Sequence, residues 1–250
     1  MSFFLSRRAM LTAITALFNT GMLGSHSREN VRSEKDAADK VNVEAPLSLA
    51  IVLYEHFEIL DVAGPLQLLS MVSEKINTIM LGPRPGPVVG RAGHAFVANY
   101  GYAEAPQADI VLIPGSKYGT WAMVEDRKFL DWLASYAAGC RYVLSVCTGS
   151  AILAQAGLLE GYSATSNKQA FSRVKKLGHN VRWIKKARWV EDRDRWTSSG
   201  VSAGIDMSAA FLTRLYGPGL ADELVREAEL MVQKNPDMDP FAAQHQSSIR

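Results

Sequence analysis

The sequence contains very little cysteine: Cys140 and Cys147 are the only two thiols among 250 residues. Two thiols are too few for a disulfide scaffold or for a four-thiolate zinc site. A predicted strand separates them, and seven extended residues at about 3.3 Å each would hold their Cα atoms about 23 Å apart. A disulfide requires a separation below about 7 Å, so we predict that Cys147 is a free thiol.

Neither sign of charge dominates the sequence, and the common metal and nucleotide motifs are missing. Lys and Arg number 27 against 25 Asp and Glu. The resulting net charge of +2 is too small to attract a polyanion, so no nucleic-acid partner is predicted. None of the five histidines falls in a metal-ligand spacing, and no dinucleotide or P-loop motif occurs. We therefore expect chemistry that needs neither a metal nor a cofactor.

Long apolar runs are also missing, including at the amino terminus. Residues 1–27 contain Arg7, Arg8 and no acidic residue, followed by an uncharged stretch from Ala9 to Phe18. That stretch is shorter than the roughly 20 residues of a membrane-spanning helix, so no stable membrane insertion is predicted. The order of these features predicts an export signal of the twin-arginine type, and hence a periplasmic or secreted protein. An organellar transit peptide, or a plain extension on a cytoplasmic protein, is the alternative.

The rest of the sequence predicts one folded domain. We divide the chain into a leader at 1–27, a solvated linker at 28–46, a domain at 47–243 and a tail at 244–250. Short aliphatic runs alternate with helical patterns in the domain, which predicts an α/β fold with a mostly parallel sheet and helices on both faces. The predicted elements are strands at 49–54, 76–81, 110–113 and 142–146, a small antiparallel ribbon within 86–106, a helix between Asp126 and Gly139, and a late helix through Leu224, Ala228, Met231 and Val232.

Cys147 lies where a buried strand passes directly into a helix, with Gly149 and Ser150 crowding the turn. This arrangement is typical of a nucleophile elbow, which presents a side chain at the carboxyl edge of the sheet. The amino terminus of the following helix would favour the thiolate and lower the pKa of the cysteine. The alternative is a small buried cysteine that packs as a hydrophobic residue.

Two other turns are predicted to reach the same edge of the sheet. Gly115 and Ser116 follow the strand at 110–113, and the backbone N–H of Ser116 is expected to pair with that of Thr148 as an oxyanion hole. An ordinary glycine turn is the alternative. Asp61 follows the first strand and brings a carboxylate to this edge, although Asp at such a position also serves as a helix N-cap.

Five sequence blocks of the predicted domain form a recognisable set. They are L-D-V-A-G-P (60–65), A-D-I-V-L-I-P-G (108–115), S-V-C-T-G-S (145–150), A-G-L-L-E-G (156–161) and S-S-G-V-S-A-G-I-D (198–206). Together they resemble the ThiJ/PfpI superfamily, within the class I glutamine-amidotransferase-like fold, and its isonitrile-hydratase branch in particular. The resemblance implies a flavodoxin-like sandwich, a homodimer, a reactive cysteine at Cys147 and an acidic partner, which is Asp in this branch and corresponds to Asp61. Thr148 matches a threonine of the branch that is thought to assist catalysis.

One departure from the family pattern shapes the predicted function. Many relatives carry a histidine where this chain has Asn167, and asparagine does not accept a proton near neutral pH. We therefore predict a cofactor-free, cysteine-dependent hydratase or hydrolase of a small C–N electrophile, such as an isonitrile converted to an N-substituted formamide. Asn167, Gly115 and Ser116 would line the substrate site. A redox sensor using an exposed, low-pKa Cys147, or a cofactor-free glyoxalase or deglycase, is the alternative.

Overall fold

The structure, a computed structural model of the chain, describes residues 45–243. The predicted leader, nearly all of the predicted linker and the predicted tail lie outside the described residues. Between residues 45 and 243, none of the helices combines the length and the apolar character needed to cross a bilayer.

A seven-stranded sheet forms the centre of the described domain. Its order is β10-β11-β7-β6-β1-β2-β5, and every neighbouring pair is parallel except β10 with β11. The predicted fold class is confirmed. The sheet strands are β1 (Leu47–Val52), β2 (Ile76–Gly82), β5 (Tyr100–Gly101), β6 (Ile110–Ile113), β7 (Tyr142–Ser145), β10 (Trp189–Asp192) and β11 (Arg195–Ser198).

The central strands are buried along their whole length because helices cover both faces of the sheet. All four residues of β6 are buried, as are five of the six in β1. This burial explains why both strands are nearly continuous aliphatic runs in the sequence. The helices are α1 (Ile59–Ser70), α2 (Gly119–Met123), α3 (Arg127–Ala138), α4 (Gly149–Gln155), α5 (Phe171–Val174), α6 (Ala203–Tyr216) and α7 (Pro218–Glu227).

The predicted antiparallel ribbon is present but shorter than expected. It consists of β3 (Gly86–Val89) and β4 (Ala95–Ala98), which pair with each other. The remainder of the segment contributes β5, which pairs in parallel with β2 and forms one edge of the central sheet. A further two-stranded parallel sheet joins β8 (Ser163–Ala164) to β9 (Arg182–Trp183).

The predicted helix between Asp126 and Gly139 is confirmed, but the late helix is shorter than its apolar stripe. The Asp126 side chain caps α3 by accepting a hydrogen bond from the Phe129 N–H. Helix α7 ends at Glu227 because Glu229 takes a left-handed conformation with φ of 52°, and the Leu230 N–H closes a Schellman motif on the Val225 carbonyl. The prediction that Ala228, Met231 and Val232 continue the helix is wrong, and Met231 is fully exposed.

Candidate active site

Four turns meet at the carboxyl edge of the sheet because their strands are close neighbours. Strand β6 lies between β1 and β7, and β11 lies on the other side of β7. The segment that follows β1 carries Asp61, and the segment after β6 carries Gly115. Cys147 follows β7, and Val201 follows β11. In open α/β sheets this edge is where ligands bind, and the topology therefore places the predicted residues in one location.

The turn at Cys147 has the geometry of a nucleophile elbow. Cys147 has φ of 59°, a left-handed conformation that is uncommon for a residue with a side chain and is often found at functional sites. Its N–H donates to the Ser199 carbonyl, and its own carbonyl accepts hydrogen bonds from the hydroxyls of Ser150 and Ser166. A Cβ at Gly149 would lie 2.2 Å from the Ile113 carbonyl oxygen, so this turn approaches β6 too closely for any other residue.

The Cys147 thiol lies at a cleft of about 580 Å³ and is 6% exposed. The backbone N–H groups of Val201 and Thr148 and the side chain of Asn167 face the sulfur and favour its ionised form. Burial and the nearby Asp61 carboxyl outweigh them and raise the pKa of Cys147 well above its usual value. The prediction that the elbow lowers this pKa is wrong, because the short helix α4 does not compensate for desolvation. The redox-sensor alternative requires an exposed thiolate, whereas Cys147 is buried.

Asp61 lies behind the elbow with its side chain fully buried. The Gly115 N–H donates to Oδ2 at 2.8 Å. Burial raises the pKa of Asp61 from 3.8 to about 8, although the Gly115 N–H and a hydrogen bond with the Cys147 thiol both lower it. Among the described residues, Oδ1 is buried without a hydrogen-bond partner that meets ordinary geometric limits.

Asp61 is not the N-cap of α1, which was the alternative interpretation. The helix begins at Ile59 with Glu58 as its N-cap, so Asp61 lies within the first turn. Its carboxyl group bonds outward to Gly115 rather than to its own helix. A side chain that caps no helix, carries a raised pKa and contacts a cysteine is a candidate acid–base group.

The predicted oxyanion hole is only half correct. The Ser116 N–H donates to Thr148 Oγ1 at 2.9 Å, so it is occupied and does not face the cleft as a free donor. The Thr148 N–H does face the sulfur, but its partner there is the N–H of Val201. The two backbone N–H groups beside the sulfur are therefore those of Thr148 and Val201.

Sequence reasoning missed Val201, although it lies inside the 198–206 block. Its φ of 32° is a strained conformation for a β-branched residue, and strain of this kind concentrates at active sites. The Gly200-Val201 pair in a turn between a strand and a helix was the available signal, but only the tertiary position of β11 beside β7 shows that this turn reaches Cys147.

The Thr148 hydroxyl belongs to a buried hydrogen-bond network rather than to the cleft surface. Besides accepting from the Ser116 N–H, it donates to the Ser116 carbonyl and bonds to the Thr120 hydroxyl at 2.8 Å. Thr120 in turn contacts the Tyr54 hydroxyl, which donates to the Pro114 carbonyl. The hydroxyl thus fastens the elbow to the turn after β6, and the N–H of Thr148 is the group available to a substrate.

The Asn167 side chain is oriented by its own turn. Its Oδ1 accepts hydrogen bonds from the N–H groups of Gln169 and Ala170, which leaves the amide NH₂ to face the Cys147 sulfur. At this position asparagine therefore turns a donor group toward the sulfur but does not accept a proton from it.

Gly115 lies where its own turn comes into close contact with those of Asp61 and Thr148, and no larger residue fits there. Substitution of this glycine is therefore expected to lower stability. A Cβ at this position would lie 2.5 Å from the Thr148 nitrogen and 2.9 Å from Asp61 Oδ2. We expect Gly115→Ala to separate Asp61 from the elbow, to lower the free energy of unfolding by about 1–3 kcal/mol and to remove most activity. Chemical denaturation and turnover assays measure the two effects.

Gly219→Ala is the matched control for this prediction. Gly219 lies in the first turn of α7, and no atom lies within 4 Å of a Cβ built there. We expect unchanged activity and a stability equal to or slightly above that of the wild type, because alanine favours helix more than glycine does. A Gly115→Ala protein as stable and active as Gly219→Ala would show that the three turns do not require glycine.

Residues 45–243 hold no group of three or more His, Cys, Asp or Glu side chains placed to bind a metal ion. The residues that do converge are a thiol, a carboxyl group and three N–H donors. Together they provide a nucleophile, a proton carrier and stabilisation for developing negative charge.

The family profile that matches this chain covers residues 48–214 and is that of the DJ-1/PfpI family. The chain belongs to the DJ-1/PfpI family. This confirms the resemblance that the motifs predicted. Cys147 and Asp61 both lie inside the matched range.

Individual relatives of the DJ-1/PfpI family agree with this assignment. The chain is 31% identical over 171 residues to an isonitrile hydratase of Pseudomonas putida, covering 68% of this chain and 73% of that protein. It is 28% identical over 183 residues to the HTH-type transcriptional regulator GbdR of Pseudomonas aeruginosa, covering 70% of this chain and 48% of the regulator.

Solved structures support the family fold. A ThiJ/PfpI family protein from Pseudomonas syringae superposes with a TM-score of 0.66 at 28% identity, covering 84% of each chain. DJ-1beta of Drosophila melanogaster gives the same TM-score at 20% identity, covering 74% of this chain and 99% of that one. The second match shows the shared fold alone.

Proposed function

We propose that the chain is a cofactor-free hydratase that converts a small isonitrile to an N-substituted formamide. The observation that supports the proposal best is the buried pair of Cys147 and Asp61, in which burial raises the pKa of both groups. Below about pH 8 both groups carry their protons. This state suits an isonitrile, whose terminal carbon must gain both a proton and a nucleophile.

In the first step the Cys147 sulfur adds to the terminal carbon of the isonitrile. A C–S bond and a C–H bond form at that carbon, and the C≡N bond becomes C=N, giving the thioimidate R–N=CH–S–Cys. Asp61 donates its own proton to the carbon and takes up the thiol proton in exchange, so the net change is the addition of S–H and Asp61 ends the step protonated, as it began. The N–H groups of Thr148 and Val201 stabilise charge on the sulfur during this transfer.

In the second step water adds to the thioimidate carbon and the C–S bond breaks. The carbon keeps the oxygen, the nitrogen gains one proton, and Cys147 recovers its thiol proton through Asp61. The products are R–NH–CHO and the starting enzyme, so one water molecule is consumed and no electrons are exchanged. A carboxyl group with a pKa of about 8 acts as both acid and base near neutral pH.

The other predicted activities fit the site less well. A Cys-His hydrolase requires a proton acceptor where this chain has Asn167, whose NH₂ donates to the sulfur. A peroxide sensor requires an accessible thiolate, whereas Cys147 is buried and its pKa is raised. A glyoxalase or deglycase of the type that the resemblance suggested would carry Glu in place of Asp61 together with the missing histidine.

The direct test is formamide release from a series of alkyl isonitriles by the purified full-length chain, followed by NMR. We expect one formamide per isonitrile consumed and no free amine, because water adds to the isonitrile carbon without cleavage of the bond between that carbon and the nitrogen. Failure to turn over any isonitrile of the series would remove this substrate class. Binding of an isonitrile without turnover would instead indicate a ligand-binding domain.

A further inference from the structure

Positive side chains surround the mouth of the cleft. Arg91, Lys117 and Arg173 line it together with one carboxylate, Glu58. Glu58 is already paired with Arg91, whose Nη1 lies 2.9 Å from Glu58 Oε2. Asp61 does not offset the remaining two charges below about pH 8, because it is protonated there. The mouth therefore carries an excess of positive charge above the thiol.

Arg173 is the cation that is held in place without being neutralised. Its guanidinium lies over the Trp121 ring, with Cζ 3.5 Å from the ring centroid, and this contact limits its rotation. Within residues 45–243 its guanidinium makes neither an ion pair nor a hydrogen bond, unlike those of Arg188, Arg193 and Arg195, each of which pairs with an aspartate. Its N–H edges are thus free to bind a ligand in the cleft.

The same turn that orients Asn167 also positions Arg173. Asn167 Oδ1 accepts from the N–H groups of Gln169 and Ala170, and the chain continues directly into α5, which carries Arg173. The amide that faces the sulfur and the guanidinium on Trp121 therefore belong to one short, hydrogen-bonded segment. Such a segment fixes the distance between the reacting atom of a substrate and a second group recognised at the mouth.

We propose that Arg173 binds a carboxylate on the substrate, so that the cleft selects small electrophiles carrying an anionic group. This inference rests on the proposed function in that the electrophilic end of the substrate must reach Cys147. A planar guanidinium with free N–H edges matches a carboxylate in a bidentate arrangement. Lys117 is a weaker candidate because its ammonium, which lies 5.3 Å from the Tyr118 ring centroid, is a point charge and does not present a planar pair of N–H donors to a carboxylate.

The test compares two isonitriles that share the isocyanomethyl and carbonyl groups but differ in charge, isocyanoacetate and its methyl ester. We expect the wild type to have a higher kcat/KM for the anion, and Arg173→Gln to lower the anion-to-ester ratio by about threefold to tenfold. Arg226→Gln removes an exposed charge of α7, far from the cleft-lining residues in sequence, and is expected to leave the ratio unchanged. Raising the salt concentration should reduce the wild-type preference, because exposed charges are screened.

A binding measurement separates this inference from the proposed reaction. Calorimetry compares N-formylglycine with N-formylglycinamide on wild type, Arg173→Gln and Arg226→Gln. Tighter binding of the acid that is lost only in Arg173→Gln supports the carboxylate site even if no isonitrile is turned over. Equal binding of the two ligands, absence of binding, or a preference that survives Arg173→Gln would overturn it, whether or not the isonitriles react.

Discussion

Cys147→Ala is expected to abolish turnover, by about a thousandfold or more, while the domain remains folded. The reason is that the sulfur forms the covalent bond in the proposed reaction, and the surrounding N–H donors do not replace a nucleophile. The substitution removes one buried sulfur atom, so we expect the free energy of unfolding to fall by only about 1 kcal/mol. Formamide release and urea denaturation measure the two quantities separately.

Cys140→Ala is the matched control for this result. Cys140 is half-buried at the end of α3, and burial raises its pKa to about 11. It is not one of the residues that line the cleft, and we expect activity within about twofold of the wild type. Turnover that survives in Cys147→Ala would exclude the sulfur as the nucleophile. The assignment of the fold would then stand, but the proposed mechanism would not.

Asp61→Asn is expected to affect activity and stability in opposite directions. Asparagine keeps an oxygen for the Gly115 N–H but carries no exchangeable acid proton, so we expect turnover to fall by about a hundredfold to ten-thousandfold. The wild-type carboxyl group is costly to ionise in this buried position, and removing it relieves that cost above neutral pH. A less active but more alkali-stable protein is the expected phenotype.

The pH dependence of stability follows from the raised pKa of Asp61. Its pKa moves from 3.8 in the unfolded chain to about 8 in the fold, so between these values the folded state binds more protons than the unfolded state. The free energy of unfolding therefore decreases as the pH rises from about 4 to 8, with a contribution of up to about 1.4 kcal/mol per pH unit from this group. Turnover should decline above about pH 8 as the same proton is lost.

Asp126→Asn provides the control for both measurements. Asp126 caps α3 through Oδ1, and asparagine caps a helix about as well as aspartate, so activity and its pH profile should match the wild type. The role assigned to Asp61 would be untenable if Asp61→Asn kept the wild-type stability slope between pH 5 and 8, or if its turnover matched that of Asp126→Asn.

The local pattern of the sequence was sufficient to predict the fold class, the elbow and the approach of Asp61 to it. Parallel strands that are covered on both faces read as nearly continuous aliphatic runs, and their carboxyl ends meet at a common edge of the sheet. The late helix was overextended because an apolar stripe does not show where the backbone leaves the helix. A left-handed Glu229 ended it where a glycine would normally be expected.

The protonation state of the site, by contrast, was determined only by the tertiary structure. The sequence shows Cys147 before a helix, which favours ionisation, but the pKa of a thiol also depends on how much water remains around it. The packing of four turns excludes that water, places a second acid beside the sulfur and brings in the Val201 N–H from the turn after β11, which is distant in the sequence but adjacent in the sheet. Residue order therefore determined which groups are present, and three-dimensional packing determined which of them carry a proton.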